Sequence, residues 1–267
     1  MTTLKQPIAA ALRRCVLILP GVTNPVWDAP LAAEDGEILV TRSVSEALAF
    51  APDQWGLVVS GPWEPAEDEE FEIARIRDLS RALAAAADAR VAPVLINDNR
   101  MAVPTAGSGA MFEEAATNLS DAGALPGALS MYATGRPVKG AKAEFAFSLL
   151  KYGAGVVMSG ADHVRLDLTG RARPLIGGPY LCLSAGRWRV NLTFSVSDLL
   201  ANRTLRFEWG PMSGGVAQEF AFDKAGRYEL DLDSDWDRAH FCEIRVALPT
   251  GAFAGLFDLE ACAIQRL

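Results

Sequence analysis

Histidine, carboxylate and tryptophan positions limit the chemistry open to this chain. Its 267 residues include only two histidines, His163 and His240. A Ser-His-Asp hydrolase would have to use one of them, and no G-x-S-x-G elbow occurs to present the serine. His240 is in register with Cys242 and Ile244, a phase that turns it toward a core, and His163 opens a strand beside Asp162. The richest polar cluster is Asp231-Leu232-Asp233-Ser234-Asp235-Trp236-Asp237-Arg238. Alternating carboxylates suit a hard cation such as calcium, which gathers oxygen ligands. The EF-hand spacing fails twice, however. Counted from Asp231, Trp236 takes the glycine position and Cys242 the final glutamate; counted from Asp233, these are Arg238 and Ile244. An irregular calcium site at Asp231, Asp233 and Asp235 stays open beside the plainer reading, a solvated acidic turn. No other cofactor is expected.

Trp236 lies among four aspartates, which suggests a loop position and an exposed ring. An exposed indole can stack on the apolar C–H face of a sugar while carboxylates and guanidinium groups take its hydroxyls. Trp236 with Asp233, Asp235, Asp237 and Arg238 could supply both halves of such a site. The other reading is a tryptophan folded back over the edge of its domain. A second candidate surface consists of Arg189, Asn191, Thr193, Arg206, Glu208, Glu243 and Arg245, which would share one sheet face if their strands are neighbours. A solvated face is the default explanation for such residues.

The first half of the chain offers weaker signals. Gly107-Ser108-Gly109 precedes a candidate helix, where a backbone N-terminus could hold phosphate, but the third glycine of the dinucleotide fingerprint is missing. Asn97-Asp98-Asn99 follows a candidate strand, where α/β sheets keep ligands. Asp98 is the one candidate there for the acidic metal-binding pair of a nucleotide-sugar enzyme.

The elements that must position these residues change character along the chain. Short apolar runs near Val16–Leu19, Glu37–Thr41, Gln54–Ser60 and Val91–Ile96 read as strands. Between the last two, a helix is predicted from Ala66 to Ala89. Its first turn is acidic (Glu67, Asp68, Glu69, Glu70), and Phe71, Ile73, Ile76, Leu79 and Leu83 follow helical spacing. Strand and helix in alternation predict a small α/β layer with mostly parallel strands. From Asn97 to about Gly160 the pattern loosens.

Beyond it the period is two. Trp188, Val190, Leu192, Phe194 and Val196 face one way, and Arg187, Arg189, Asn191, Thr193 and Ser195 the other. Leu205, Phe207 and Trp209, then Tyr228, Leu230 and Leu232, then Cys242, Ile244, Val246 and Leu248 repeat the alternation. Successive strand side chains point to opposite sides of a sheet, so each run has one buried face. Glycine- and proline-rich turns separate the runs with no helix between them, which predicts an antiparallel sandwich or jelly roll. The fold class read from the sequence is therefore α+β: a small N-terminal α/β domain over 1–135, a connecting segment over 136–160, and a jelly-roll-like β-sandwich over 161–267.

A net charge of -8 argues against nucleic acid and anionic membranes as partners, since both are bound through clustered Lys and Arg. No run approaches the roughly 18 apolar residues that span a bilayer. The apolar run Cys15–Leu19 is too short for a signal-peptide core and reads as a buried strand. Synthesis in the cytoplasm without a signal peptide is expected. Cys15, Cys182, Cys242 and Cys262 share no close spacing and read as small buried hydrophobes.

The stretch Gly178-Pro179-Tyr180-Leu181-Cys182-Leu183-Ser184-Ala185-Gly186-Arg187-Trp188-Arg189-Val190, with Glu243-Ile244-Arg245 late in the chain, resembles a phrase of carbohydrate-binding-module-like sandwiches. The resemblance covers about Val164 to Leu267. Such modules accompany bacterial glycosyltransferases and other capsular polysaccharide proteins. The resemblance implies non-catalytic binding of cell-surface (capsular) polysaccharide. It does not extend to the N-terminal half, which is read as a mount, with other subunits of a larger assembly as further partners. Without an export signal, the protein would either work in the cytoplasm or leave the cell as a spike or fibre of a phage-like particle. The rivals are a glycosyltransferase-like enzyme or accessory of polysaccharide assembly, and a structural protein that uses the sandwich for protein contacts.

Overall fold

A computed structural model of the chain describes residues 46, 49, 63, 65–89, 125–159, 163–199 and 203–267, and the backbone of strands at 14–18, 38–41, 55–60 and 93–96. Asp98 and the Gly107-Ser108-Gly109 run lie outside the described residues. Strands β1 (Arg14–Ile18), β2 (Ile38–Thr41), β3 (Trp55–Ser60) and β4 (Pro93–Ile96) form a parallel sheet in the order β2-β1-β3-β4. Helix α1 (Glu69–Ala89) follows β3. Its start is fixed by Asp68, whose Oδ1 accepts the Phe71 amide at 2.7 Å, and by an acidic first turn that suits the positive end of the helix dipole. Ile76, Leu79 and Leu83 are buried as their spacing predicts, but Phe71 is 60% exposed. Among the described residues no helix is long and apolar enough to cross a membrane.

The rest of the chain is a sandwich of two antiparallel sheets. The first has the order β13 (Gly226–Trp236), β10 (Gly186–Ser197), β15 (Leu256–Arg266), β8 (Val164–Asp167), β7 (Val156–Ser159), and β5 (Lys142–Glu144) also pairs with β15. The second has the order β12 (Val216–Phe222), β11 (Arg203–Pro211), β14 (His240–Leu248), β9 (Arg173–Leu183), β6 (Lys151–Tyr152). The chain crosses from β9 to β10 to β11 and from β12 to β13 to β14 to β15 between the sheets, as in a jelly roll. Segment 136–160, expected as a connector, supplies β5, β6 and β7 to these sheets.

The alternation explains the packing. Trp188, Val190, Leu192, Phe194 and Val196 of β10 are all buried, facing Phe207 and Trp209 of β11. Phe194 is the hub: its ring lies 5.2 Å from Phe207, 5.1 Å from Phe257 and 5.7 Å from Phe222. Such offset and edge-on pairs add about 0.5–1.5 kcal/mol each beyond the area they bury.

Helix α1 covers a sheet edge. β6 pairs with β9 only at Ile176 and Gly177, which leaves the later part of β9 with free backbone groups. Ser80 of α1 accepts the Cys182 amide at 2.9 Å, and Asp88 accepts the amides of Ala185 (2.7 Å) and Ala239. Buried Tyr132, in a 3-10 turn over Gly127–Tyr132, accepts the Ser184 amide at 3.0 Å and donates to the Cys182 carbonyl at 3.2 Å. Burial pushes its hydroxyl far above the usual tyrosine range. Side chains from outside the sandwich thus complete its edge, and α1 is held against the second sheet.

Candidate functional site

Strand phase places the predicted residues on two surfaces instead of one. Arg189 and Asn191 lie on β10, on the outer face of the first sheet, opposite Asp233 and Asp231 of β13. Arg189 grips Asp233 with two bonds of 2.6 and 3.0 Å and reaches Asp231 at 3.3 Å, Arg187 adds a 3.2 Å bond to Asp233, and Asn191 donates to Asp231. The Arg189 bond holds the Asp233 carboxyl below the usual carboxylate range. Charge here is matched within the ladder. Arg206, Glu208 and Arg245 belong to β11 and β14, so they share the outer face of the second sheet, and the expected single face does not form.

Trp236 is not exposed. It ends β13 facing inward, only 4% accessible, with its ring 5.2 Å from that of Trp209. Leu232, Ser234 and Trp236 continue the inward alternation of the strand while Asp231, Asp233 and Asp235 point out. An indole on the buried face cannot stack on a sugar. Asp237 and Arg238 are exposed in the turn after β13. The calcium reading of Asp231, Asp233 and Asp235 also fails on geometry. Alternate residues of an extended strand are spread about 6.6–6.8 Å apart, two arginines occupy the oxygens of Asp233, and among the described residues no group of His, Cys, Asp and Glu could hold a metal.

Of the cysteines, Cys182, Cys242 and Cys262 are free and buried, and burial pushes the Cys182 thiol up to about 12. Cys15 has no described side chain. His240 is half-buried, with Nδ1 3.1 Å from the Phe241 carbonyl oxygen.

The second sheet brings together a different set. Arg206 Nε bonds Glu208 at 2.7 Å, Arg245 reaches Glu208 at 3.5 Å, and Arg245 also pairs with Glu243, a carboxylate largely buried in the sheet face. The bond to Glu243 raises the Arg245 guanidinium above its ordinary value. Tyr180 donates its hydroxyl to Glu243 at 3.1 Å, and burial followed by that carboxylate raises the phenol. Gly177 makes room for this pair, since a Cβ there would stand 3.2 Å from the tyrosine oxygen. The row borders a concavity of about 140 Å³ whose far wall is the β11–β12 hairpin with half-exposed Met212. A Cβ on Gly210 would come within 2.5 Å of Gly215 Cα, so the hairpin closes this tightly only with glycine.

Tyr180 links this row to a larger groove. Its φ of 61° is in the left-handed region, uncommon for a bulky residue and tolerated where surrounding structure fixes it. Beside its ring lies a groove of about 880 Å³ between α1 and residues 146–152, lined by Glu70, Ile73, Arg77, Phe147, Lys151 and Tyr152 among others. Arg77 and Lys151 place their charges 5.4 and 5.6 Å from the Tyr180 ring centroid. Sequence reading passed over Tyr180, Arg77 and Lys151. Arg77 is 102 residues from its partner Pro179, and no local pattern signals that contact.

No protein-family model matches the chain and no curated protein matches it. Solved structures similar to the C-terminal half include carbohydrate-binding modules and an arabinose-bound family 51 α-L-arabinofuranosidase. One is a family 61 module in complex with β-1,4-galactotriose: 11% identity over 47% of this chain and 87% of that one, TM-score 0.31. Another is a family 36 module in complex with calcium and xylotriose: 16% identity, 46% of this chain and 97% of that one, TM-score 0.31. A third is the N-terminal cellulose-binding domain of Cellulomonas fimi β-1,4-glucanase C: 13% identity, 44% and 87% coverage, TM-score 0.29.

Proposed function

We propose that the sandwich binds a glycan without cleaving it, through the outer face of its second sheet. One observation carries this reading: Arg206, Glu208, Glu243 and Arg245 form one row of ion pairs along a concave rim, with the Tyr180 hydroxyl bonded to Glu243 at its end. Planar carboxylate and guanidinium groups held in fixed orientation match the paired hydroxyls of a sugar ring, and Met212 offers an apolar contact for its C–H face. The ladder on the first sheet has comparable charges, also paired across strands, but the concavity borders the second sheet. In the setting we propose, on the sequence resemblance, the glycan is bacterial capsular polysaccharide and the protein is a spike or fibre component of a phage-like particle, with other subunits held by the N-terminal half.

A second reading, a glycosyltransferase-like enzyme with a sandwich appendage, is favoured by the parallel order β2-β1-β3-β4, because such sheets keep ligands at the carboxyl ends of their strands. Melting of the intact chain separates the two. A ligand that binds only the folded form adds about 2.7 kcal/mol of stability at a hundredfold excess over Kd. Bacterial polysaccharides are expected to raise Tm and to be recovered uncut. A rise with nucleotide sugar and manganese, and none with any polysaccharide, would replace the binding reading with the enzyme.

A further inference from the structure

Among the described residues, Arg77 and Lys151 are cations without anionic partners. Arg77 Nε donates to the Pro179 carbonyl at 3.1 Å, and among the described residues neither side chain forms an ion pair. In this they differ from Arg206, Arg245, Arg189, Arg187, Arg165 and Arg227, each of which has a carboxylate, and resemble Arg266; what marks Arg77 and Lys151 is that both flank one ring beside a groove. Arg77 is also half-buried, and desolvation lowers its guanidinium below the ordinary value. A partly desolvated charge with no counter-ion is costly, and a chain of net charge -8 has many carboxylates that could have filled the position. Glu69 and Glu70 also line this groove, in the first turn of α1, and pair with neither cation.

We propose that this groove receives the acid group of an anionic glycan, in the first instance the carboxylate of a uronic acid. The inference rests on the glycan-binding reading and adds a substrate class to it. Both cations flank the Tyr180 ring, and the Tyr180 hydroxyl bonds Glu243 of the sugar-facing row. A glycan lying along Arg206, Glu208 and Arg245 would therefore run past Tyr180 into the groove, where the Arg77 fork matches an oxyanion. The two surfaces sort the ligand: neutral residues meet the ion-paired row, and the acid residue meets the two cations beside Tyr180.

The test compares hexagalacturonate, its carboxyl-reduced form and dextran sulfate on the intact protein by titration calorimetry. The expected result is binding of the uronate roughly 10- to 100-fold tighter than the reduced form, the range for a charge-assisted contact. Arg77→Gln and Lys151→Gln should each narrow that gap, and Lys151→Gln, at an exposed side chain with no hydrogen bond, keeps the fold. Dextran sulfate binding above both, and lost in the same variants, supports the cation site with a sulfate ester as its anion. Equal binding of charged and reduced forms, or a preference that both variants retain, overturns the inference and leaves glycan binding standing. Binding of none of the three overturns the site together with the reading beneath it.

Discussion

Tyr180 and Trp236 are held by opposite means. Tyr180 sits in a left-handed backbone position, is tied to Glu243 through its hydroxyl and is flanked by two cations, so the groove itself holds it in place. Trp236 is fixed by the core. Trp236→Ala removes a buried indole packed on Trp209 and should cost about 3–5 kcal/mol in denaturant unfolding; a loss below 1 kcal/mol would mean that the ring lies outside the core. Its position was legible in principle, because the alternation Leu230, Leu232, Ser234, Trp236 continues through the run of aspartates. The aspartates masked it: carboxylates on the outward phase of a strand have the same composition as a loop. Asp233 gives the acid limb of stability. Its folded pKa lies below the unfolded value of about 3.9, held there by Arg189. The pair therefore stabilises fully above that value and is lost as the pH falls through the lower folded one. Asp233→Asn should cost under about 1 kcal/mol at neutral pH and flatten the loss of stability below pH ~4, which a pH series of melting curves would read.

At the scale of elements, β9 explains why the sandwich needs α1. An edge strand with unpaired amides invites pairing with another chain; here Ser80 and Tyr132 take the Cys182 amide and carbonyl of β9, and Tyr132 and Asp88 take the amides of Ser184, Ala185 and Ala239 in the adjoining turns. Tyr132→Phe leaves the Ser184 amide and the Cys182 carbonyl without partners and should cost about 1–3 kcal/mol. Its high folded pKa also means that the contribution of the neutral phenol is complete below the unfolded value near 10 and is lost as the pH rises past it. Wild-type denaturation curves should therefore weaken above pH ~10 more steeply than those of the Phe variant, and equal alkaline limbs would contradict the buried bond. None of this edge capping was legible, since each bond joins a side chain to a backbone group some 50–150 residues away. The strands of the sandwich were legible because period-two burial is local. Which strands are neighbours was not: the pattern gives a residue's phase but not its sheet, and for that reason Arg189 and Arg206 were expected on one face.

Across the whole molecule, both outer faces of the sandwich carry cross-strand ion pairs, Arg189–Asp233 on the first sheet and Arg245–Glu208 on the second. The second arranges Arg206, Glu208, Glu243 and Arg245 along a concave rim that continues through Tyr180 into a groove made jointly by α1 and residues 146–152. That groove is walled on one side by α1, which docks on β9, so the N-terminal half helps to shape the surface. The direct test is affinity for a bound polysaccharide measured on face-specific variants of the intact chain. Glu208→Ala and Arg245→Ala should each weaken binding by roughly 10- to 100-fold, the loss of one or two charge-assisted bonds, while Arg189→Ala leaves it unchanged. Loss of binding in Arg189→Ala, with Glu208→Ala and Arg245→Ala at wild-type affinity, would contradict the account and move the site to the first sheet.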